Sequence, residues 1–410
     1  MSKALNRQAS ARSSTRNFVV AGMSPVLWLL ALAAALGAGG CGSDETASLP
    51  GTATLCTATS TTDVVVRTTS DLAAIATETQ IQGDLIVCQS TDIETLDLPH
   101  LTAVDGNVII YSDSVLTRVD LPALQTIGAT PHASRSWYGL LFDHNSALTT
   151  INLPALKTLD EHLWVSANDA LVTLDLPALT RLSGTFTLKE SAFTTLTGFA
   201  ALRSTGSGLT FIENAALASV TGFDNLVAIS NDVILDKNPL LSSIRLPEVR
   251  TIGRSLLVTA SPQVATLELP RVAALGADLE LNGTALTALD GLAALGVVGG
   301  QIQLVDNGTL FTLALPALET VGSNLVVDHN TATTGIALPR VSYVGGDLVV
   351  TRNTAAANLD LAALAGVGGG LRIVDNTLLP TCQAEAIRDR VGTAEIGGPI
   401  SISGNNASCN

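Results

Sequence analysis

The amino-acid sequence repeats one short aliphatic phrase at an almost constant interval. The phrase is Leu-Pro-x-(Leu/Val) or a variant of it, and it recurs with a 23-residue period, apart from one interval that is a single residue longer and one that is nine longer. A fixed period of this length is typical of repeat arrays, in which each unit packs only on its neighbours. The 410 residues therefore need not divide into two or three globular domains. The last residue of the phrase, or its equivalent, is Leu101, Leu124, Leu156, Leu179, Leu202, Leu226, Val249, Val272, Leu295, Leu318, Val341 and Leu364.

Each repeat also contains a short stretch of alternating side chains. In residues 254–258 (Arg-Ser-Leu-Leu-Val) the alternation places Leu256 and Val258 on one face of a strand and Leu257 on the other. A single coil cannot bury such a row, so we predict parallel strands stacked about 4.8 Å apart around one aliphatic core. Asparagine recurs three residues after many of these strands, and we expect its side chains to form a hydrogen-bonded ladder. The row comprises Asn145, Asn168, Asn214, Asn238, Asn307, Asn330, Asn353 and Asn376.

The fold class that follows is all-β. We predict a right-handed parallel β-helix, or β-solenoid, of about 12–13 coils with a short helical cap at each end. The Leu-x-Val-x-x-Asn core is also found in leucine-rich-repeat horseshoes, but proline, glycine and β-branched residues interrupt every stretch that might form a helix within a repeat. Helix signals occur near the two ends, one beginning around Ser70 and one over residues 380–391 that ends at Gly392.

The N-terminus is predicted to be an export signal. Residues 1–17 are polar and basic, residues 18–40 are apolar or small, and Cys41 follows a run of small residues. This order is typical of a lipoprotein signal peptide, after whose removal Cys41 would carry the lipid, including palmitate. An uncleaved transmembrane anchor is the alternative, although Ser24 and Pro25 interrupt the apolar stretch. By resemblance to bacterial lipoprotein sorting, the glycine after Cys41 favours the outer membrane or cell surface.

Four further cysteines lie two at each end of the repeat array. Cys56 and Cys88 are at the start, and Cys382 and Cys409 are at the end. Pairing is expected in an exported protein, and only Cys56–Cys88 and Cys382–Cys409 avoid spanning the whole array. A metal site is the alternative, but no Cys-x-x-Cys spacing or neighbouring histidine supports it.

The predicted organisation has five segments. Residues 1–40 form the signal peptide and residues 41–55 a lipidated tether. Residues 56–90 form an N-terminal disulfide cap with the first coil, residues 91–376 the β-solenoid, and residues 377–410 a C-terminal disulfide cap. Caps are needed because exposed strand edges at the ends of a solenoid would pair with other chains.

The repeat, with its cysteine-bearing start and end, resembles the receptor L-domain family. That family comprises right-handed β-helical ligand-binding domains, found for example in the insulin and EGF receptors, and the resemblance covers about residues 56–410. It implies a ligand-binding β-helix without naming the ligand. This chain is longer than a receptor L domain and has no kinase or cysteine-rich module, so the resemblance does not imply signalling.

Charge and motifs argue against several classes of function. The formal net charge is −15, and residues 1–40 contain only basic charges, so the remainder is more acidic still and nucleic acid is not an expected partner. No phosphate loop, Gly-x-Ser-x-Gly or zinc motif occurs. His144 and His329 lie eight coils apart and cannot share a metal. Asp97 and Asp120 lie on adjacent coils, and a carbohydrate-active enzyme built on them is a remote alternative. We predict no catalytic residue, metal or cofactor.

One irregular coil carries the predicted binding surface. The longest coil has nine extra residues near 129–137, which include His132, Arg135 and Trp137. Loops on a rigid scaffold often bind ligands. The neighbouring outward positions are unusually apolar, as expected for a partner site; they are Ile86, Ile109, Leu141 and Trp164. The alternative is that the extra loop folds over this apolar row and covers it.

The sequence as a whole favours a non-enzymatic envelope lipoprotein. We expect it to associate with the membrane through its N-terminal lipid and to bind a protein or glycan through one face of the solenoid. A purely structural envelope component is the alternative.

Overall fold

Most coils of the chain contribute strands to three faces of a β-solenoid. The computed structural model describes residues 55–128 and 139–409. One face, here called the wide sheet, has 15 strands. They are Val64–Val66, Leu85–Cys88, Val108–Tyr111, Leu140–Asp143, Leu163–Asn168, Phe186–Ser191, Leu209–Ile212, Val233–Asp236, Leu256–Thr259, Leu279–Asn282, Ile302–Val305, Leu325–Asp328, Leu348–Thr351, Leu371–Val374 and Ile400–Ser403.

The second face, here called the narrow sheet, has 13 strands, each only a residue pair long. They are Gln80–Ile81, Ala103–Val104, Thr126–Ile127, Thr158–Leu159, Arg181–Leu182, Ser204–Thr205, Ala228–Ile229, Thr251–Ile252, Ala274–Leu275, Val297–Val298, Thr320–Val321, Tyr343–Val344 and Gly366–Val367. The third face is divided into sheets of four, four and three strands. Their strands are Thr95–Asp97, Arg118–Asp120, Thr150–Asn152, Thr173–Asp175; Thr195–Leu196, Ser219–Val220, Ser243–Arg245, Thr266–Glu268; and Thr312–Ala314, Gly335–Ala337, Asn358–Asp360.

The strands pair in parallel and in register, one coil on the next. Leu325 lies opposite Leu348 and Val326 opposite Val349, so that each residue faces its equivalent in the following repeat. The alternation in sequence becomes an alternation in burial, since the strand Leu256–Thr259 is buried at its first and third residues and half-buried at the others. The inward residues of the described coils join a single apolar cluster. The predicted all-β solenoid is therefore confirmed, with aliphatic layers that match the sequence period.

The predicted asparagine ladder is present at one end of the wide-sheet strands. The Oδ1 atom of Asn330 accepts hydrogen bonds from the backbone N–H and the Nδ2 of Asn307, at 3.0 and 3.1 Å. The Asn330 Nδ2 donates to the carbonyl oxygen of Leu304 at 2.8 Å, and its backbone N–H donates to the Oδ1 of Asn353. The residue before each of these rungs has positive φ, as His329 does at 55°. The ladder thus satisfies the backbone where the chain turns away from the sheet.

Short helices lie near both ends of the array, as predicted. The first is Thr69–Ile75, which begins with a capping box between Thr68 and Asp71. The second is Thr381–Val391, which ends at Gly392 and buries Ala384, Ile387 and Val391. Short 3-10 turns occur at Asp290–Leu292 and Thr393–Glu395.

The two predicted disulfides have different outcomes. Cys382 and Cys409 are bonded, with their Cα atoms 5.8 Å apart, and this link ties the C-terminal helix to the chain end. Cys56 and Cys88 are buried and unlinked in the structure, with their thiols in hydrogen-bond contact, and the disulfide predicted for this end stays a prediction. Burial, followed by the hydrogen bond with the Cys56 thiol, raises the pKa of the Cys88 thiol to about 12. A thiol kept protonated in an apolar cluster is a poor nucleophile for disulfide exchange.

The predicted signal peptide, residues 1–40, and the lipid-attachment residue Cys41 lie outside the described residues. Within the described ranges, no helix has both the length and the apolar character needed to cross a membrane.

Candidate functional site

The predicted binding surface is mostly covered. Ile86, Ile109 and Leu141 point outward from the wide sheet, as the alternation indicates, but each is 0% exposed. The expectation that these three residues form an open partner site is therefore wrong. They belong to a second apolar cluster, which lies on the outer face of the sheet. The other members of this cluster are Leu55, Cys56, Cys88 and Tyr111.

The cluster is closed in part by the chain segment that precedes the first strand. Leu55 and Cys56 pack on the outer face, and the guanidinium of Arg67 donates a hydrogen bond of 2.6 Å to the carbonyl oxygen of Cys56. The solenoid therefore has two layers at its N-terminal end, because residues outside the repeat cover the outward row.

Trp164 is the predicted site residue that keeps some exposure. It is half-buried and packs against the second cluster, and its Nε1 has no hydrogen-bond partner among the described residues. His132, Arg135 and Trp137 lie in segment 129–138, outside the described residues. Their predicted role in binding stays a prediction.

A carboxyl group that the sequence did not single out is buried on the strand next to that of Trp164. Asp143 ends the strand Leu140–Asp143 and is 0% exposed. Its Oδ2 lies 2.8 Å from the His144 Nδ1, and Ser166 on the adjacent strand is its other polar neighbour, although neither contact is well directed as a hydrogen bond within the described part of the chain. Desolvation by burial raises the pKa of Asp143, although the neighbouring His144 acts in the opposite direction. The folded protein therefore holds a proton on Asp143 more strongly than the unfolded chain does.

Because Asp143 is buried, we predict that the substitution Asp143→Asn increases the free energy of unfolding, and that the increase depends on pH. Because the folded-state pKa is raised, the wild-type protein loses stability as pH rises from below the unfolded value of 3.8 through the folded value. At pH 7 we expect the variant to be more stable by about 1–3 kcal/mol, and near pH 3 we expect the difference to vanish. Urea unfolding at both pH values measures this. A variant that is less stable at pH 7 would contradict the prediction and indicate a donor outside the described residues.

Further along the same sheet the outer face is open. From the strand Leu209–Ile212 onward no second layer covers the outward positions within the described part of the chain, and aliphatic side chains there are half-buried. These residues are Ile212, Ile234, Leu257, Val305, Val326 and Val349. They lie in two outward columns of the wide sheet, where the strand register places them among polar residues such as Asp236, Glu280 and Gln303, and we call this surface the open face.

A second row of polar side chains, which was not predicted from the sequence, borders the open face. At the start of the wide-sheet strands, the Oδ1 of Asp232 accepts the backbone N–H of Ser255, and the Oδ1 of Asp278 accepts that of Gln301, each at 2.8 Å. The Oδ1 of Asp347 likewise accepts a hydrogen bond from the backbone N–H of Gly370. The signal was present in the sequence, because an Asp or Asn immediately precedes several of these strands.

The acidic pair considered for catalysis lies on a different face. Asp97 and Asp120 are neighbours in register on adjacent strands. Arg118, at 2.8 Å, and Asn152, at 2.7 Å, donate hydrogen bonds to the Asp120 carboxylate and lower its pKa. A glycosidase general acid needs a raised pKa, so Asp120 lacks the property that this role requires.

We also searched the described residues for clusters of metal ligands and for cavities. Among the described residues, no group of three or more His, Cys, Asp and Glu side chains is placed to hold a metal ion. His329 Nδ1 lies 2.5 Å from the Asp306 Oδ1 on an exposed turn. A cavity of about 360 Å³ lies between the C-terminal helix and residues 358–362, and Gln383 and Arg390 line it.

Comparison of the chain with protein-family models, curated proteins and solved structures gave no match. The open face is thus the feature of the described residues from which a function is best argued.

Proposed function

We propose that the protein is a non-enzymatic binding module of the cell envelope, and that its open face contacts a protein or glycan ligand. A lipid on Cys41 would tether the module to the membrane. The observation that carries the proposal is the half-buried aliphatic row on the open face, which includes Ile234, Leu257, Val326 and Val349. Exposed apolar surface on a soluble domain commonly marks an interaction site.

Three properties of the open face support a binding role. Its backbone is hydrogen-bonded on both sides to neighbouring coils, so a ligand does not have to order it. Polar rows border it at both ends of the strands, as in interfaces with an apolar centre and a polar rim. The equivalent row at the N-terminal end is covered by the chain itself, so these outward positions are chemically suited to burial. The resemblance to receptor L domains points to the same kind of function.

The test compares substitutions on and off the open face in the full-length chain. We expect the double variant Leu257→Asp, Val326→Asp to lose at least about tenfold in affinity for a saturable partner captured from envelope extract, because buried apolar contacts are replaced by desolvated charges. Val172 and Phe311, which are 56% and 58% exposed on another face, supply the control. The variant Val172→Asp, Phe311→Asp should bind as the wild type does.

Circular dichroism and the urea midpoint would verify that both variants fold. Equal binding by the two double variants would reject the open face as the site. Failure of the wild-type protein to capture any saturable partner would favour a purely structural role.

A further inference from the structure

We propose that the open face binds a basic amphipathic segment of a partner protein, with apolar side chains on two aliphatic patches and a cationic side chain over Glu280 between them. This inference rests on the proposed binding function and specifies the chemistry of the ligand.

The outward side chains of successive coils form a patterned row. Register pairs connect each member to the next, from Ile234 to Leu257, then to Glu280, Gln303, Val326 and Val349. Two aliphatic pairs therefore flank a polar pair. At about 4.8 Å per coil, the centres of the two aliphatic pairs lie about 19 Å apart. About three and a half turns of α-helix, or about six residues of extended chain, span that distance.

The polar centre of the row contains the Glu280 carboxylate, which has no ion-pair partner among the described residues. Burial, and then the neighbouring Asp278 carboxylate, raise the pKa of Glu280. The Glu280 Oε1 accepts a hydrogen bond of 3.0 Å from the Gln301 Nε2. Within the described part of the chain, neither Glu280 nor Asp278 makes an ion pair. A cation placed here would meet two carboxylates on a partly dehydrated surface, where charge pairing is stronger than in water.

The surroundings of the open face have the same sign of charge. Between residues 232 and 375, eight carboxylates and four cations lie on or beside it. Of the four cations, Lys237 is paired with Glu213, Arg254 with Asp232 and Arg352 with Asp328, and Arg372 is the fourth. The carboxylates are Asp232, Asp236, Asp278, Glu280, Asp306, Asp328, Asp347 and Asp375.

This charge distribution distinguishes a basic protein segment from other ligands. Nucleic acid and anionic lipid would be repelled by the carboxylate excess. Neutral glycans bind largely by stacking on aromatic rings, and the outward positions from Thr210 to Val374 contain none. A basic amphipathic segment supplies both the apolar groups for the patches and the cation for Glu280, and its association would be accelerated by the long-range field.

The test uses a labelled Leu/Lys amphipathic helix of about 14 residues as the probe and measures fluorescence anisotropy with the full-length chain. We expect saturable binding that weakens as salt concentration rises. Glu280→Gln should weaken binding by about tenfold. Glu319→Gln removes the same charge from an exposed site beside the narrow-sheet strand Thr320–Val321, and it should change binding by less than about twofold. A Leu/Glu helix of the same length should not bind.

Equal losses from Glu280→Gln and Glu319→Gln would overturn the inference, because they would show attraction to net charge alone. Equal binding of a Lys-only peptide would overturn it too, since the aliphatic patches would then contribute nothing. If Leu257→Asp abolishes partner capture while Glu280→Gln changes neither assay, the proposed function stands and this inference fails. If substitutions on the open face alter neither assay, both are rejected.

Discussion

Asn330→Ala is expected to destabilise the solenoid by several kcal/mol. The substitution removes the acceptor for the backbone N–H and the Nδ2 of Asn307 and the donor to the Leu304 carbonyl oxygen. Asn307 and Leu304 are almost completely buried, at 1% exposed each. Each buried group left without a partner costs about 1–3 kcal/mol, and the two Asn307 donors account for most of the expected loss. The side-chain cavity adds to it.

Two matched substitutions give the ladder prediction its control. Ser261 occupies a rung naturally, where its Oγ accepts the backbone N–H of Asn238, so Asn330→Ser should recover part of the loss. Asn225 is exposed and makes a single bond to the Ala200 carbonyl oxygen, so Asn225→Ala should cost about 1 kcal/mol or less. Urea unfolding followed by circular dichroism measures all three. Similar midpoints for Asn330→Ala and Asn225→Ala would show that the ladder is not a main source of stability.

Hydrogen exchange at the neighbouring rungs adds a local readout. A long repeat array need not unfold in one step, so a local opening around Asn330 should also appear as faster exchange at the Asn307 amide. Unchanged exchange there, together with an unchanged midpoint, would contradict the assigned hydrogen bonds.

Gly322→Ala is expected to destabilise the solenoid by about 3 kcal/mol or more. A Cβ at this position would overlap the carbonyl oxygen of Gly299 in the preceding coil and lie 2.7 Å from its carbonyl carbon. Neither atom can move freely, since both belong to backbone held by coil-to-coil hydrogen bonds such as Gly322 N to Val298 O at 2.9 Å. Overpacking that shifts backbone typically costs about 1–3 kcal/mol and sometimes more.

The same close approach recurs along one corner of the solenoid. Glycines stack there coil upon coil, and a Cβ on each would overlap the carbonyl oxygen of the coil before it. The column comprises Gly253, Gly276, Gly299, Gly322, Gly345, Gly368 and Gly397. In these coils the contact leaves no room for a Cβ. Asp160, Ser183 and Ser230 occupy the same position in earlier coils, so the turn from the narrow sheet to the wide sheet does not by itself require glycine.

Gly308→Ala is the control for the glycine column. The nearest atom to a Cβ at Gly308 is the Thr331 Oγ1 at 3.9 Å, and its φ is not positive. We expect a change within about 0.5 kcal/mol, or a small gain from the reduced freedom of the unfolded chain. Thermal and urea midpoints for the two alanine variants provide the comparison. If Gly322→Ala unfolds at the same midpoint as Gly308→Ala, the coils are less tightly stacked at this corner than described.

The sequence by itself determined the period, the strand faces and the ladder. These depend on local rules, since alternation assigns Leu256 and Val258 inward and Leu257 outward whatever lies elsewhere in the chain. In-register stacking then follows, because a one-residue slip would expose the inward row. The two terminal helices also carry their signals locally, in the Thr68 capping box and in Gly392.

Only the tertiary structure decided which outward residues are accessible. Ile86 and Val326 occupy the same position in their coils, yet Ile86 is fully buried and Val326 is half-buried. Ile86 belongs to an outer apolar cluster that includes Leu55 and Cys56, which lie outside the repeat, and no such cluster covers Val326 among the described residues. Alternation specifies the direction in which a side chain points. Its solvent exposure depends on contacts between segments that no local pattern relates, and so the site predicted at Ile86, Ile109 and Leu141 is covered while the open face lies further along the sheet.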